Sequence, residues 1–306
     1  MGNCTCTAGG ELGVALAGGG ARAVAQLGVL KVLDREGIPV SYVAGTSAGA
    51  VIGAVYATSD TALHAEDRVL AHLATKGIGF NVETFNAIAT SSARRPSGFL
   101  GMLGTLRRAA RPGGGLIGGD AMRASLHQLL GEAAFADARL PFATTALDLV
   151  SGRRVIFAEG PLVDAVYASS AIPGLFEPFH VHDHVLVDGG WAEPVPVNTC
   201  HHLGAIHVVA VDVAERGAHE TARGAVSTAL LADALARQLL EERLLEEADF
   251  VVRPQATVKH FADFSDPVGL IAAGERAAEA ALPEIAAVLE RHRSLFVRAA
   301  GEVARR

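Results

Sequence analysis

Cysteine is scarce in this chain: three in 306 residues, with Cys4 and Cys6 nearly adjacent. That supports no disulfide framework, so stability must come from a buried core. Aromatic residues are only 5% of the chain although half of it is hydrophobic. The core is therefore built from Ala, Val and Leu, as in strands covered by helices on both faces. A surplus of positive charge is also missing. The net charge of −7 excludes general nucleic-acid binding. No basic residue precedes Arg22, so no charged segment leads into an apolar stretch as in a secretory signal. The start, Met1-Gly2-Asn3-Cys4-Thr5-Cys6, has Cys6 where an acylation signal has Ser or Thr. Residues 1–10 read as a disordered polar leader.

Charge is absent altogether from residues 37–59, where Gly45, Gly49 and Gly53 recur every fourth position. A membrane-spanning helix could have that composition. Pro39, Ser41, Thr46, Ser47, Thr58 and Ser59 dilute the run, and a buried strand followed by a buried helix accounts for it at lower cost. Asp and Glu are missing from residues 84–119, which hold five arginines: Arg94, Arg95, Arg107, Arg108 and Arg111. Phe99, Met102, Leu103 and Leu106 fall there at helical spacing. The segment reads as a basic insert, either an ordinary covering helix or a cap touching anionic lipid.

What is present alternates. Leu12–Ala17 reads as a strand, and Ala25–Glu36 as an amphipathic helix with Leu27, Leu30 and Leu33 on one face. Gly37 and Pro39 end it. A strand over Val40–Ala44 and a helix over Ala48–Ala57 follow. Further strands are expected at 142–147, 154–157, 184–187, 206–211 and 250–252, and helices at 120–130, 225–247 and 269–291. No repeat or linker divides the chain. The expected fold is α/β: a three-layer α/β/α sandwich with a mainly parallel sheet. One catalytic domain spans 11–292, with 293–306 as a C-terminal tail.

Three motifs fall at strand ends. Gly45-Thr46-Ser47-Ala48-Gly49 is a G-x-S-x-G pentapeptide between a strand and a helix. That is the context of a nucleophile elbow, whose tight turn holds the serine at its tip. A serine hydroxyl is a poor nucleophile, so a base and an oxyanion site are needed nearby. Gly18-Gly19-Gly20-Ala21-Arg22 follows the first strand. Consecutive glycines let N–H groups converge, either on a phosphate or on the oxyanion of an acyl group. The dinucleotide pattern fails at Ala23, where its last glycine would stand, and the Lys-Ser/Thr pair of a P-loop is absent. With Ser47 after the very next strand, the oxyanion reading is preferred. Asp188-Gly189-Gly190 follows a third apolar strand. It places a carboxylate where α/β active sites assemble, although an Asx-turn would use the same residues. Asp148 and Asp212 also end strands but lack the glycine pair.

Together these motifs resemble the patatin-like phospholipase family. So do Ala146-Leu147-Asp148-Leu149, Ala168-Ser169-Ser170-Ala171-Ile172-Pro173-Gly174 and Glu193-Pro194-Val195-Pro196-Val197. The similarity runs from about Leu12 to Leu289 and departs at Ala23, where the family usually has glycine. The resemblance implies a Ser–Asp dyad without a catalytic histidine. Ser47 would attack an ester and Asp188 would take its proton. Gly19 and Gly20 would hold the oxyanion, helped by Gly18, Ala21 or Ala48, and Arg22 would brace the loop. It implies no cofactor and no metal. It also implies a phospholipid or lysophospholipid substrate and a cytoplasmic protein with peripheral membrane contact.

Histidine offers rival readings. His180, His182 and His184 alternate around Asp183, and His201-His202 lies nearby. A metal site is one option and a Ser-His-Asp triad another. A solvated strand face accounts for the same spacing, and no histidine follows Asp188 before His201. Two further classes remain beside the hydrolase: an acyltransferase of related architecture, and a non-catalytic lipid-binding scaffold.

Overall fold

The computed structural model describes residues 12–75, 115, 119–214 and 224–303. The leader and nearly all of the Arg-rich segment lie outside the described residues. The framework is a three-layer α/β/α sandwich around an eight-stranded, mostly parallel sheet. β1 (Leu12–Leu16) is buried along its whole length. It sits between β2 (Val40–Gly45) and β7 (His207–Val211), parallel to both. β3 (Phe142–Asp148) extends the parallel set beyond β2, and β8 (Phe250–Val252) extends it beyond β7. β4 (Arg153–Phe157) and β6 (His184–Asp188) run antiparallel to β3, and β5 (Phe179–Val181) forms a hairpin with β6.

The helices are α1 (Ala25–Arg35), α2 (Ala48–Ala57), α3 (Ala62–Ala74), α4 (Gly119–Leu130), α5 (Leu162–Ser170), α6 (Val197–Leu203), α7 (Ala225–Leu245) and α8 (Pro267–Val303). In α1, Leu27, Leu30 and Leu33 are fully buried, together with Val29 and Val32, so the apolar periodicity marks the core face. The uncharged run 37–59 divides into β2 and α2, the second almost wholly buried. No helix among the described residues is long and apolar enough to cross a membrane. Residues 293–303, expected as a tail, continue α8. Arg, Leu and Ala in that stretch favour helix, and its only glycine is Gly301.

The register of β3 sets the position of everything that follows. β4 pairs with residues 144–148 and so takes one edge of β3. β2 and β6 must share the other edge. β2 ends with Gly45 opposite Thr144, and β6, running the opposite way, ends with Asp188 opposite Ala146. Two residues of strand span about 7 Å. The two strands therefore meet head to head, and whatever follows each of them emerges at one point.

Candidate active site

Ser47 follows β2 at that point. Its backbone has φ 55 and ψ −125, a conformation that L-residues adopt at a cost of about 1–3 kcal/mol. Two glycines make the turn possible, each for a different reason. A Cβ on Gly45 would lie 2.4 Å from the Gly49 carbonyl oxygen, inside the turn itself. A Cβ on Gly49 would lie 2.2 Å from the Leu16 carbonyl oxygen, so it is β1 that forbids a side chain there. Thr46 is fully buried. Its hydroxyl donates to the Glu193 carbonyl (2.8 Å) and lies 3.0 Å from the Thr145 hydroxyl.

The Ser47 hydroxyl donates to Asp188 Oδ2 at 2.6 Å, across 141 residues of sequence. The other oxygen of Asp188 accepts from the Gly190 N–H at 2.7 Å. Gly189–Trp191 forms a single 3-10 turn immediately after β6, which keeps that N–H within reach. Asp188 is 2% exposed. Burial raises its pKa to about 6, against the lowering effect of Ser47, Gly190 and the charge of Arg237. Arg237 of α7 stacks over Trp191, whose indole N–H donates to Asp233.

The end of α5 ties the two residues together. The Ser47 N–H donates to Ser169 Oγ (2.9 Å), and the Asp188 N–H donates to the Ala171 carbonyl (3.0 Å). Ser169 belongs to a stretch noted in the sequence only for its resemblance. Nothing local marks it as a partner of Ser47, because the contact depends on how α5 packs.

The glycine loop lies beside the serine. A Cβ on Gly18 would come 3.2 Å from Ser47 Cβ. Of the five loop residues, Gly18 and Ala21 do not offer their N–H groups to the site. Gly18 donates to the Pro194 carbonyl (3.0 Å) and Ala21 to the Phe261 carbonyl (2.6 Å). These acceptors are distant in sequence, which is why the glycine run alone could not exclude them. Among the described residues no such distant acceptor takes the N–H of Gly19, Gly20 or Ala48. As the first residue of α2, Ala48 has no acceptor within its helix. Arg22 Nε donates to the Val213 carbonyl (3.0 Å), fastening the loop to the end of β7.

Ser47 and Ala48 open on a cavity of about 150 Å³. Its wall is mainly apolar, from Val51 and Ile52 of α2, Leu126 and Leu129 of α4, and Phe176 and Phe264. Ala23 lines it too and is 1% exposed.

The other strand-end carboxylates, and His184 and His201 among the candidate histidines, are engaged elsewhere. Asp148 accepts from the Ser151 hydroxyl (2.6 Å), His184 Nδ1 (2.9 Å) and the N–H groups of Val150, Ser151 and Val185. Asp212 accepts from Arg253 (3.0 Å) and the Ala214 N–H (3.0 Å). His182 turns the β5–β6 hairpin with φ 51, and His201 Nδ1 lies 2.9 Å from the Ala205 carbonyl. Among the described residues no three His, Cys, Asp or Glu side chains converge to hold a metal.

A strained serine at a strand–helix turn, hydrogen-bonded to a buried aspartate over an apolar cavity, defines an α/β fold with a hydrolase-like site. The chain belongs to the patatin-like phospholipase family, whose model matches residues 14–201. It is 28% identical over 208 residues to the Drosophila melanogaster protein named neuropathy target esterase sws, covering 67% of this chain and 13% of that protein. It is 29% identical over 203 residues to an uncharacterised NTE family protein of Mycobacterium bovis, covering 66% of this chain and 49% of that one. The similarity thus spans about half or less of these relatives. The crystal structure of VipD from Legionella pneumophila shares the fold, with a TM-score of 0.51 at 12% identity over 90% of this chain and 67% of that one.

Proposed function

We propose that the chain is a serine hydrolase that cleaves fatty-acyl esters of phospholipids or lysophospholipids through a Ser47–Asp188 dyad. The 2.6 Å bond from the Ser47 hydroxyl to a buried carboxylate carries this reading. Ser47 Oγ attacks the ester carbonyl while its proton passes to Asp188. The Gly19, Gly20 and Ala48 N–H groups receive the oxyanion. Collapse breaks the ester C–O bond, and the proton on Asp188 goes to the departing alcohol. Water then attacks the acyl-enzyme, gives a proton to Asp188 and releases the fatty acid, and that proton returns to Ser47.

An ordinary aspartate is a weak base for such work, with a pKa near 3.9. At about 6, Asp188 is a stronger acceptor that is still ionised at neutral pH. The apolar cavity suits an acyl chain, and the family's name supports a lipid substrate. The arginines of residues 84–119 supply positive charge in an acidic chain, and in this reading they hold the protein at the periphery of an anionic, cytoplasm-facing lipid surface. Ser47→Ala is the test: hydrolysis of a short-chain chromogenic ester falls to background while the folded signal is retained. Full activity in that variant would refute the reading.

A further inference from the structure

The end of α5 carries a group that neither the fold nor the dyad uses. Ser169 holds the Ser47 N–H, and the Ala171 carbonyl holds the Asp188 N–H. Between them, Ser170 is 5% exposed and lines the same cavity as Ser47. Its Oγ is buried and has no hydrogen-bond partner among the described residues. An enclosed hydroxyl without a partner destabilises the folded state, so such groups are rare and call for an explanation. An alanine there would pack as well without the penalty.

We infer that Ser170 is a further catalytic residue, whose hydroxyl holds the water that hydrolyses the acyl-enzyme. The inference rests on the proposed Ser47–Asp188 chemistry. A water in a largely apolar cavity needs two or more polar partners to stay in place. Asp188 supplies the acceptor for its proton. Ser170 supplies a second contact, and a serine hydroxyl can both donate and accept as it turns between staggered settings. The bonds accepted on either side, by Ser169 Oγ from the Ser47 N–H and by the Ala171 carbonyl from the Asp188 N–H, fix its position relative to nucleophile and base. In the step itself the water oxygen bonds to the acyl carbon, the bond to Ser47 Oγ breaks, and the water proton passes to Asp188. Ser170 keeps its own proton throughout. Acylation does not involve this water, so it does not need Ser170.

The test is Ser170→Ala, with pre-steady-state hydrolysis of a p-nitrophenyl ester, mass spectrometry of the intact enzyme and thermal unfolding. The expected result has three parts. The initial burst keeps its rate. The steady-state rate falls about tenfold, the worth of one hydrogen bond, with more acyl-enzyme on Ser47 than wild type carries. Tm stays level or rises, because an unsatisfied polar group has gone. Ser170→Thr, which retains the hydroxyl, recovers much of the steady-state rate. Unchanged turnover overturns the inference, and so does a burst slowed as much as the steady state. A lower Tm with normal partitioning assigns the hydroxyl a structural role instead. Failure of the underlying dyad is separately visible: wild-type enzyme would then carry no acyl group on Ser47.

Discussion

Asp188 and Asp148 are both buried aspartates at the ends of strands that pair with each other, and their environments drive them in opposite directions. Asp148 collects five hydrogen bonds. The Ser151 hydroxyl and His184 dominate, and together the donors hold its pKa well below the usual carboxylate range despite burial. Such a group is a permanent anion that pins the turn between β3 and β4. Asp188 receives two, from Ser47 and Gly190, and burial prevails. Both side chains are shut away from solvent, but desolvation is the leading influence on Asp188, whereas the donors lead at Asp148. That balance between depth and donors decides which carboxylate braces the fold and which can accept a proton.

Substitution of the two should therefore separate chemistry from stability. Asp188→Asn is expected to lower ester hydrolysis by about 10⁴-fold, close to the loss from Ser47→Ala, since members of one catalytic unit do not act additively. Asp148→Asn should lower Tm and leave kcat of the remaining folded enzyme nearly intact. If Asp148→Asn removed activity at unchanged stability, the roles would be reversed.

Stability against pH gives a second separation. The folded pKa of Asp188 lies above its unfolded value, so the protonated form favours the folded state and the ionised form opposes it. Its contribution is full below about pH 4 and is lost as pH rises through about 6. The shift of about two units corresponds to about 3 kcal/mol. Asp188→Asn should abolish that loss and unfold at higher denaturant than wild type above pH 6. A variant no more stable than wild type across that range would contradict the assigned environment. The smallest effect is expected at His184, which is half exposed and gives Asp148 one of its five bonds. His184→Ala should cost a little stability and no turnover, measured by thermal melting beside the ester assay. Lost turnover at unchanged stability would restore the triad reading.

The sequence carried the parts of this site whose causes are local. Gly45 marks the elbow because the turn that excludes its side chain lies within five residues, whereas the need for glycine at 49 comes from the Leu16 carbonyl of β1. Asp188-Gly189-Gly190 stands out because an apolar strand leads into it. The apolar period of α1 and the alternation of strands and helices point to the sandwich. The rest depends on contacts between distant segments. Only the register on β3 brings the ends of β2 and β6 together. The acceptors of Gly18 and Ala21 lie in segments more than 170 residues away, so the sequence could not show that these two N–H groups are engaged. Ser169 and Ser170 appear in the sequence as one motif, yet among the described residues only Ser169 has a hydrogen-bond partner for its hydroxyl.

Asp188 is proposed as the base that activates Ser47. Labelling of the protein by a fluorophosphonate probe, followed from pH 4 to pH 8 in wild type and Asp188→Asn, tests it most directly. Labelling is expected at Ser47 alone, with a rate that rises through a single ionisation near pH 6 and a much slower, pH-independent rate in the variant. Labelling of another serine, or the same pH profile in both proteins, would contradict it.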